Sequence, residues 1–233
     1  MTSSIGESIV GIHGPSTTTI VTYDDGPSPG DTDAILRELE ARSATATFFV
    51  LLTRARRSPG LIGEMLAAGH EVALHGADHR RLTTDVDLDA LPRILKDARA
   101  ELEDLAGVPV RWFRPPYGSQ SRPTWQAVVS VGLTPVLWSI DCGDWLTLTL
   151  DEHLAQVRQP SLRDAIVLLH DAFADESDGV DDGPAPCVDR PALTRAVLDE
   201  AGRRGLSVRS VGESLCDAEP AWRVWLDEQR PGT

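Results

Sequence analysis

Cysteine is scarce: Cys142, Cys187 and Cys216 are the three thiols in 233 residues, odd in number and widely spaced. That spacing excludes a disulfide framework and a thiolate metal cluster, and reduced thiols are expected. Long apolar runs are missing as well. Met1–Gly14 has neither a cationic start nor an apolar core, so neither a signal peptide nor a membrane span is read there. A cytoplasmic protein is expected, or a secreted one if the chain has been trimmed. Basic clusters interleaved with aromatics are also lacking. The densest basic run, Arg54, Arg56 and Arg57, reads as the solvated end of a connection. With a formal net charge of −14, the field of the chain repels nucleic acid and anionic membrane surfaces, and neither is expected as a partner.

What remains is an ordinary globular composition, 41% hydrophobic and 25% charged, long enough to bury one substantial core. No repeat or low-complexity linker divides it, so one domain over residues 1–233 is expected, with its core at about 18–209. Short β-branched and aromatic runs alternate with segments of helical period. The runs predict strands at Thr18–Tyr23, Thr45–Val50, Glu71–Leu74, Arg111–Phe113, Thr134–Trp138, Ile166–Leu169 and Leu206–Arg209. Helices are predicted at Leu61–Ala68, Ala192–Gly202 and Leu88–Leu105, the last from Leu88, Leu91, Leu95, Ala98, Leu102 and Leu105 at three- and four-residue steps. Strict alternation gives an α/β fold with a parallel sheet, and seven or eight units favour a distorted (β/α)7–8 barrel. Residues 171–189 are rich in Asp, Gly and Pro without Lys, and read either as a solvated acidic insertion or as a rim that attracts a cationic substrate.

Five polar clusters each follow a predicted strand. Asp24 and Asp25, in Tyr23-Asp24-Asp25-Gly26-Pro27, can divide into a metal ligand and a base facing the attacking water, or simply build a turn. His75 and His79 stand four apart, with Gly76 arguing against a helix. Either a loop brings both to one ion, or they are unrelated polar residues. Two His and one Asp make the ligand count of a catalytic site with an open position. Arg114-Pro115-Pro116-Tyr117-Gly118 is a rigid turn that could aim a backbone N–H at an oxyanion. Trp138 to Trp145 and Leu168 to Asp171 complete the set. Chance does not predict five such clusters at the strand ends where barrel active sites assemble.

Together, and in this order, the clusters resemble the polysaccharide deacetylase family, the NodB-homology domain of carbohydrate esterase family 4, over Thr18 to Leu206. The resemblance implies a distorted barrel of β/α units. It implies that Asp25, His75 and His79 bind Zn2+, or another divalent ion such as Co2+, Mn2+ or Ni2+. Asp24 would be the general base, oriented by Arg114. Tyr117 would give a backbone N–H to the oxyanion and help bind substrate. Asp144 would tune His170, the general acid, while Trp145 and Leu168 would line the acetyl pocket. The implied activity is metal-dependent hydrolysis of N-acetyl groups on amino sugars. An amidase or imidase on a small acylated amide, and an O-acetyl esterase, are alternatives. A non-catalytic carbohydrate-binding domain fits least, because Asp24, Asp25, His75, His79 and His170 are all present. Two positions depart from the family pattern: Gly76 stands where Ser or Thr usually braces the metal loop, and Tyr23 where Phe is commoner. With no signal peptide read, a soluble acetylated intermediate is the expected substrate. His13, His70 and His153 are expected to be structural or exposed, and Cys142 a buried, inert thiol.

Overall fold

A computed structural model describes residues 4–14 and 17–229. The ends of the expected 1–233 domain, and residues 15 and 16, lie outside the described residues. In chain order the elements are β1 Glu7–His13, β2 Thr18–Asp24, α1 Asp31–Glu40, β3 Thr47–Leu51, α2 Leu52–Arg57, α3 Pro59–Ala67, β4 Glu71–Gly76, α4 Leu91–Ala106, β5 Trp112–Phe113 and α5 Arg122–Ser130. They continue with β6 Thr134–Pro135, β7 Ile140–Asp141, α6 Leu150–Val157, β8 Ile166–His170, α7 Arg190–Arg203, β9 Ser207–Arg209, α8 Val211–Ser214 and β10 Glu219–Val224.

Eight strands form one parallel sheet in the order β6-β5-β4-β3-β2-β8-β7, with β9 added to β2. The sheet curls into a half-barrel. Its two ends, β6 and β7, are consecutive in the chain and not laddered to each other among the described residues; β1 bridges the gap through Ile9 to Val136 and Gly11 to Ala165. Both sheet faces are apolar, and alternate residues serve different layers. Ile20, Phe49, Ala73 and Ile166 point into the inner cluster with Ile9, Ile12 and Val211. Val21, Tyr23, Phe48, Val50, Val72, Leu74, Val167 and Leu169 point outward into the layer beneath the helices.

The helices cover that outer layer for reasons visible in their sequences. α4 buries Leu91, Leu95, Ala98 and Leu102, carries Pro92 in its first turn, and stops at Gly107, whose φ of 69° suits a left-handed cap. α1 places Asp31 and Asp33 in its first turn and Arg37 in its last, matching the helix dipole, and buries Ile35, Leu36 and Leu39. No helix among the described residues is long and apolar enough to cross a membrane.

Several expectations need correction. Three strands are added: β7, and the antiparallel pair β1 and β10, which lie outside residues 18–209. The strand expected over Thr134–Trp138 shortens to Thr134–Pro135: Val136 N–H still donates to Phe113 O, but Leu137 N–H turns to Ile9 O. Leu88 precedes α4, and both Leu88 and Leu105 are exposed, so the apolar stripe is narrower than expected. Arg54 is not the solvated end of a connection. It is buried within α2 and paired with Asp178, which is also fully buried. Residues 171–189 are therefore not merely a solvated insertion, since one turn of them, Glu176–Asp178, is packed against α2.

Candidate active site and metal centre

The C-terminal ends of β2, β4, β5, β7 and β8 meet at one cleft of about 530 Å³, which Asp24, Asp25, His75, His79, Tyr117, Trp145, Leu168 and His170 all line. Arg114 and Asp144 sit directly behind that lining. The strand-end clusters are thus brought together, although they are spread over nearly 150 residues of sequence.

At the end of β2 the backbone turns sharply. Asp25 adopts φ 74°, a left-handed conformation that Asp tolerates better than most residues, and this lets adjacent carboxylates face different partners. Gly26 follows because nothing larger fits: a Cβ there would lie 2.0 Å from Asp171 Oδ2. Asp171 holds this turn by accepting Gly26 N–H at 3.0 Å and Thr32 Oγ1–H at 2.7 Å. Its own carboxyl is pushed up to about 7, first by burial and then by the charge of Asp25. At the end of β4, Gly76 has φ 142°, and a Cβ would lie 2.6 Å from Asp78 O. The loop is closed too tightly for Ser or Thr, which accounts for that departure from the family pattern.

Asp25, His75 and His79 are buried, with their ligand atoms within 4.8 Å of one another. An ion with four tetrahedral bonds of about 2.0–2.1 Å separates its ligand atoms by about 3.3 Å. His75 Nε2 and His79 Nε2 lie 3.3 Å and 3.2 Å from Asp25 Oδ1, which accepts no hydrogen bond among the described residues. Spacing, chemistry and the unsatisfied oxygen all fit a divalent ion. His75 Nδ1 lies 2.8 Å from Arg114 O, which holds its Nε2 toward that position. Burial alone would raise the Asp25 carboxyl, but the facing His79 and His75 override it and keep the group well below the usual carboxylate range.

Asp24 takes a different environment. Its Oδ1 accepts Arg114 Nη1–H at 2.7 Å, and Oδ2 stands 3.9 Å from His75 Nε2. Arg114 is completely buried and donates also to Thr22 Oγ1 (2.8 Å), Val136 O (3.0 Å) and Leu137 O (3.0 Å). Tyr117, in the turn after Arg114, has φ 61°, and its N–H has no acceptor among the described residues. Its ring packs 4.4 Å from that of His79, and its hydroxyl donates to Asp182 at 2.7 Å.

Across the cleft, His170 Nδ1 lies 2.7 Å from Asp144 Oδ1, and His170 N–H donates to Asp144 Oδ2 at 2.8 Å. Burial would depress His170, but Asp144 outweighs it and, with Asp25 and Asp24, raises the imidazole to about 9. Leu168 is buried and Trp145 half-exposed at the mouth. Two contributors were not anticipated. Arg190, buried at the start of α7, donates to His170 O at 2.9 Å and to Asp144 Oδ2 at 3.4 Å. Asp171 enters the sequence pattern only as the last residue of its cluster. No local pattern marks Arg190, whereas Asp171 lay beside an anticipated histidine. Cys142 is buried and its thiol is pushed up by that burial, as expected of an inert group. His153 Nδ1–H donates to Cys142 O (2.9 Å) and His70 packs on Phe48, both structural, while His13 is exposed.

The chain resembles known proteins over most of its length. A family model for polysaccharide deacetylase matches residues 12–136. A chitooligosaccharide deacetylase of Azorhizobium caulinodans is 30% identical over 190 residues, covering 81% of this chain and 90% of the relative. Peptidoglycan-N-acetylglucosamine deacetylase of Listeria monocytogenes is 34% identical over 151 residues, 65% of this chain but only 32% of that protein, so this chain spans about a third of its length. Among solved structures, a family 4 pseudoenzyme from Bacillus anthracis superposes with TM-score 0.76 at 21% identity, covering 91% of this chain and 69% of that one. That likeness establishes the fold and leaves the chemistry to the residues of the cleft.

A divalent ion at these three ligands should stabilise the protein by mass action, by about 2.7 kcal/mol when free metal is 100 times its dissociation constant. Scanning calorimetry should show a rise in the unfolding temperature with one equivalent of Zn2+, and no rise for His75→Ala. An equal rise in both would place the ion elsewhere.

Proposed function

The chain belongs to the polysaccharide deacetylase family, and we propose that it hydrolyses the N-acetyl group of an amino sugar with a divalent metal, zinc above the other candidates, at Asp25, His75 and His79. The observation that carries the reading is the pairing of opposite groups on two walls of one cleft: a carboxylate fixed by a buried arginine, and an imidazole kept protonated by a buried carboxylate. Relatives named as deacetylases of chitooligosaccharide and of peptidoglycan N-acetylglucosamine support the substrate class.

A divalent ion bound at the triad supplies Lewis acidity toward the acetyl carbonyl and its attacking water. The rest falls to the side chains. Asp24, its Oδ1 tied to Arg114, uses Oδ2 to take the proton from that water. Arg114 fixes the direction of the carboxylate. Tyr117 N–H, without an acceptor among the described residues and held by the rigid Pro115-Pro116 turn, donates to the oxygen where negative charge develops, a contribution on the order of 3 kcal/mol. Leu168 and Trp145 enclose the acetyl methyl. His170 protonates the departing amine, without which an amide nitrogen leaves poorly. Asp144 holds the proton on His170 and Arg190 holds Asp144 in place.

Acetate release from a panel of N-acetyl sugars, small N-acyl amides and O-acetyl esters tests the reading. Activity confined to N-acetyl sugars, lost on chelation and lost by a factor of about 10² or more in Asp24→Asn, is expected. Zinc binding with acetate released from no N-acetyl sugar would overturn it.

The pH profile tests the acid. Because the folded pKa of His170 is raised, its proton is present below about 9 and lost above it. Asp144→Asn removes the main raising influence, so the alkaline limb of kcat/KM should move to lower pH. A limb that stays in place would contradict the role of His170.

A further inference from the structure

Gly76 offers no hydroxyl to brace the His75–His79 loop, and the loop's own Asp78 reaches its neighbour Arg80, Oδ1 accepting N–H at 3.1 Å, yet both histidines must be held for a metal. The support comes from outside the loop. Thr53 N–H donates to Ala77 O at 3.2 Å, and His79 N–H donates to Asp178 O at 2.8 Å. These two supports are joined to each other: Thr53 Oγ1 donates to Asp178 Oδ1 at 2.7 Å. Arg54 completes the frame, with Nε on Asp178 Oδ2 at 2.7 Å, Nη2 on the same oxygen at 2.6 Å, and Nη2 also on Phe173 O at 2.7 Å. Asp178 is 0% exposed and Arg54 8% exposed, so this is a charge pair taken out of water. Arg57 Nη2 adds a contact to Asp178 Oδ1 at 2.6 Å, and Asp175 Oδ2 lies 3.5 Å from Arg54 Nη2. Phe173, the other residue Arg54 holds, lines the catalytic cleft.

We propose that Thr53, Arg54 and Asp178 form a brace that keeps the His75–His79 loop in metal-binding register, making them positioning residues that never touch the ion. The proposal rests on reading Asp25, His75 and His79 as a metal site, and does not depend on which acyl group is hydrolysed. Its physical basis is directness. A buried carboxylate is fixed by three donors from α2, and the same residue's carbonyl takes the amide of a ligand histidine, so one hydrogen bond separates the brace from His79. The acidic segment 171–189 therefore acts through the buried Asp178 as an anchor beneath the metal loop.

Zinc dissociation constants, measured by competition with a chromogenic chelator, separate positioning from mere structural support. Outer-shell partners of metal ligands commonly change affinity by about 10–100-fold, and a loss of about tenfold or more is expected for Asp178→Asn and Arg54→Met. Arg54→Lys, which restores a charge without the planar fork, should recover part of it. Thr53→Val removes one hydroxyl from a half-buried site, and keeps the question answerable if a charge-pair variant fails to fold; a several-fold loss is expected. Arg56→Ala, on an exposed pair with Glu101, should bind as the wild type does. The Co2+-substituted protein adds a signature that folding stability alone would not alter, a shifted visible absorption band in Asp178→Asn. Wild-type zinc affinity in folded Asp178→Asn, Arg54→Met and Thr53→Val would overturn the brace while leaving the metal site standing. Failure of the wild-type protein to bind zinc would overturn both.

Discussion

A single buried cation organises the catalytic end of this fold. Arg114 is wholly removed from water, a state tolerable only when its donors are met. They are met by Asp24, Thr22, Val136 and Leu137, with the guanidinium lying 4.1 Å over the Phe49 ring and 5.5 Å from that of Trp138. Its backbone carbonyl meanwhile orients His75. One residue thus ties the end of β2, the chain after β6 and the metal loop after β4 into a fixed arrangement. Breaking such a buried pair commonly costs about 3–5 kcal/mol, which gives the arrangement its rigidity.

Around that hub, two adjacent carboxylates acquire separate tasks from their surroundings. The left-handed turn at Asp25 sends it to the histidines, whereas Asp24 remains with Arg114. On the opposite wall, Asp144 and Arg190 do for His170 what Arg114 does for Asp24, and Asp171 ties the two walls through Gly26 and Thr32. The two groups proposed as base and acid, Asp24 and His170, therefore each rest on a buried partner of opposite charge.

The site was more legible than its supports. Asp24, Asp25, His75, His79, Arg114, Tyr117 and His170 stand in short polar clusters directly after apolar strands, a local pattern that a sequence displays openly. Arg190 and the Arg54–Asp178 pair carry no such mark, because their partners lie tens of residues or more away and their burial is decided by tertiary packing. Composition misled for the same reason at residues 171–189, where acidity suggests solvent but α2 supplies buried arginine. The pair β1 and β10 is not marked locally because each strand's partner lies at the other end of the chain. At Leu88 the helical period ran past the true start of α4, where Pro92 sits in the first turn.

The most direct test of the central role of Arg114 is the turnover of Arg114→Lys on an N-acetyl sugar with saturating zinc. Lysine keeps the charge but cannot reach Asp24, Thr22, Val136 and Leu137 together. A cooperatively folded variant whose kcat falls by about 10² or more, because Asp24 is no longer aimed, is the predicted result. A folded variant with kcat within a few-fold of the wild type would contradict the account.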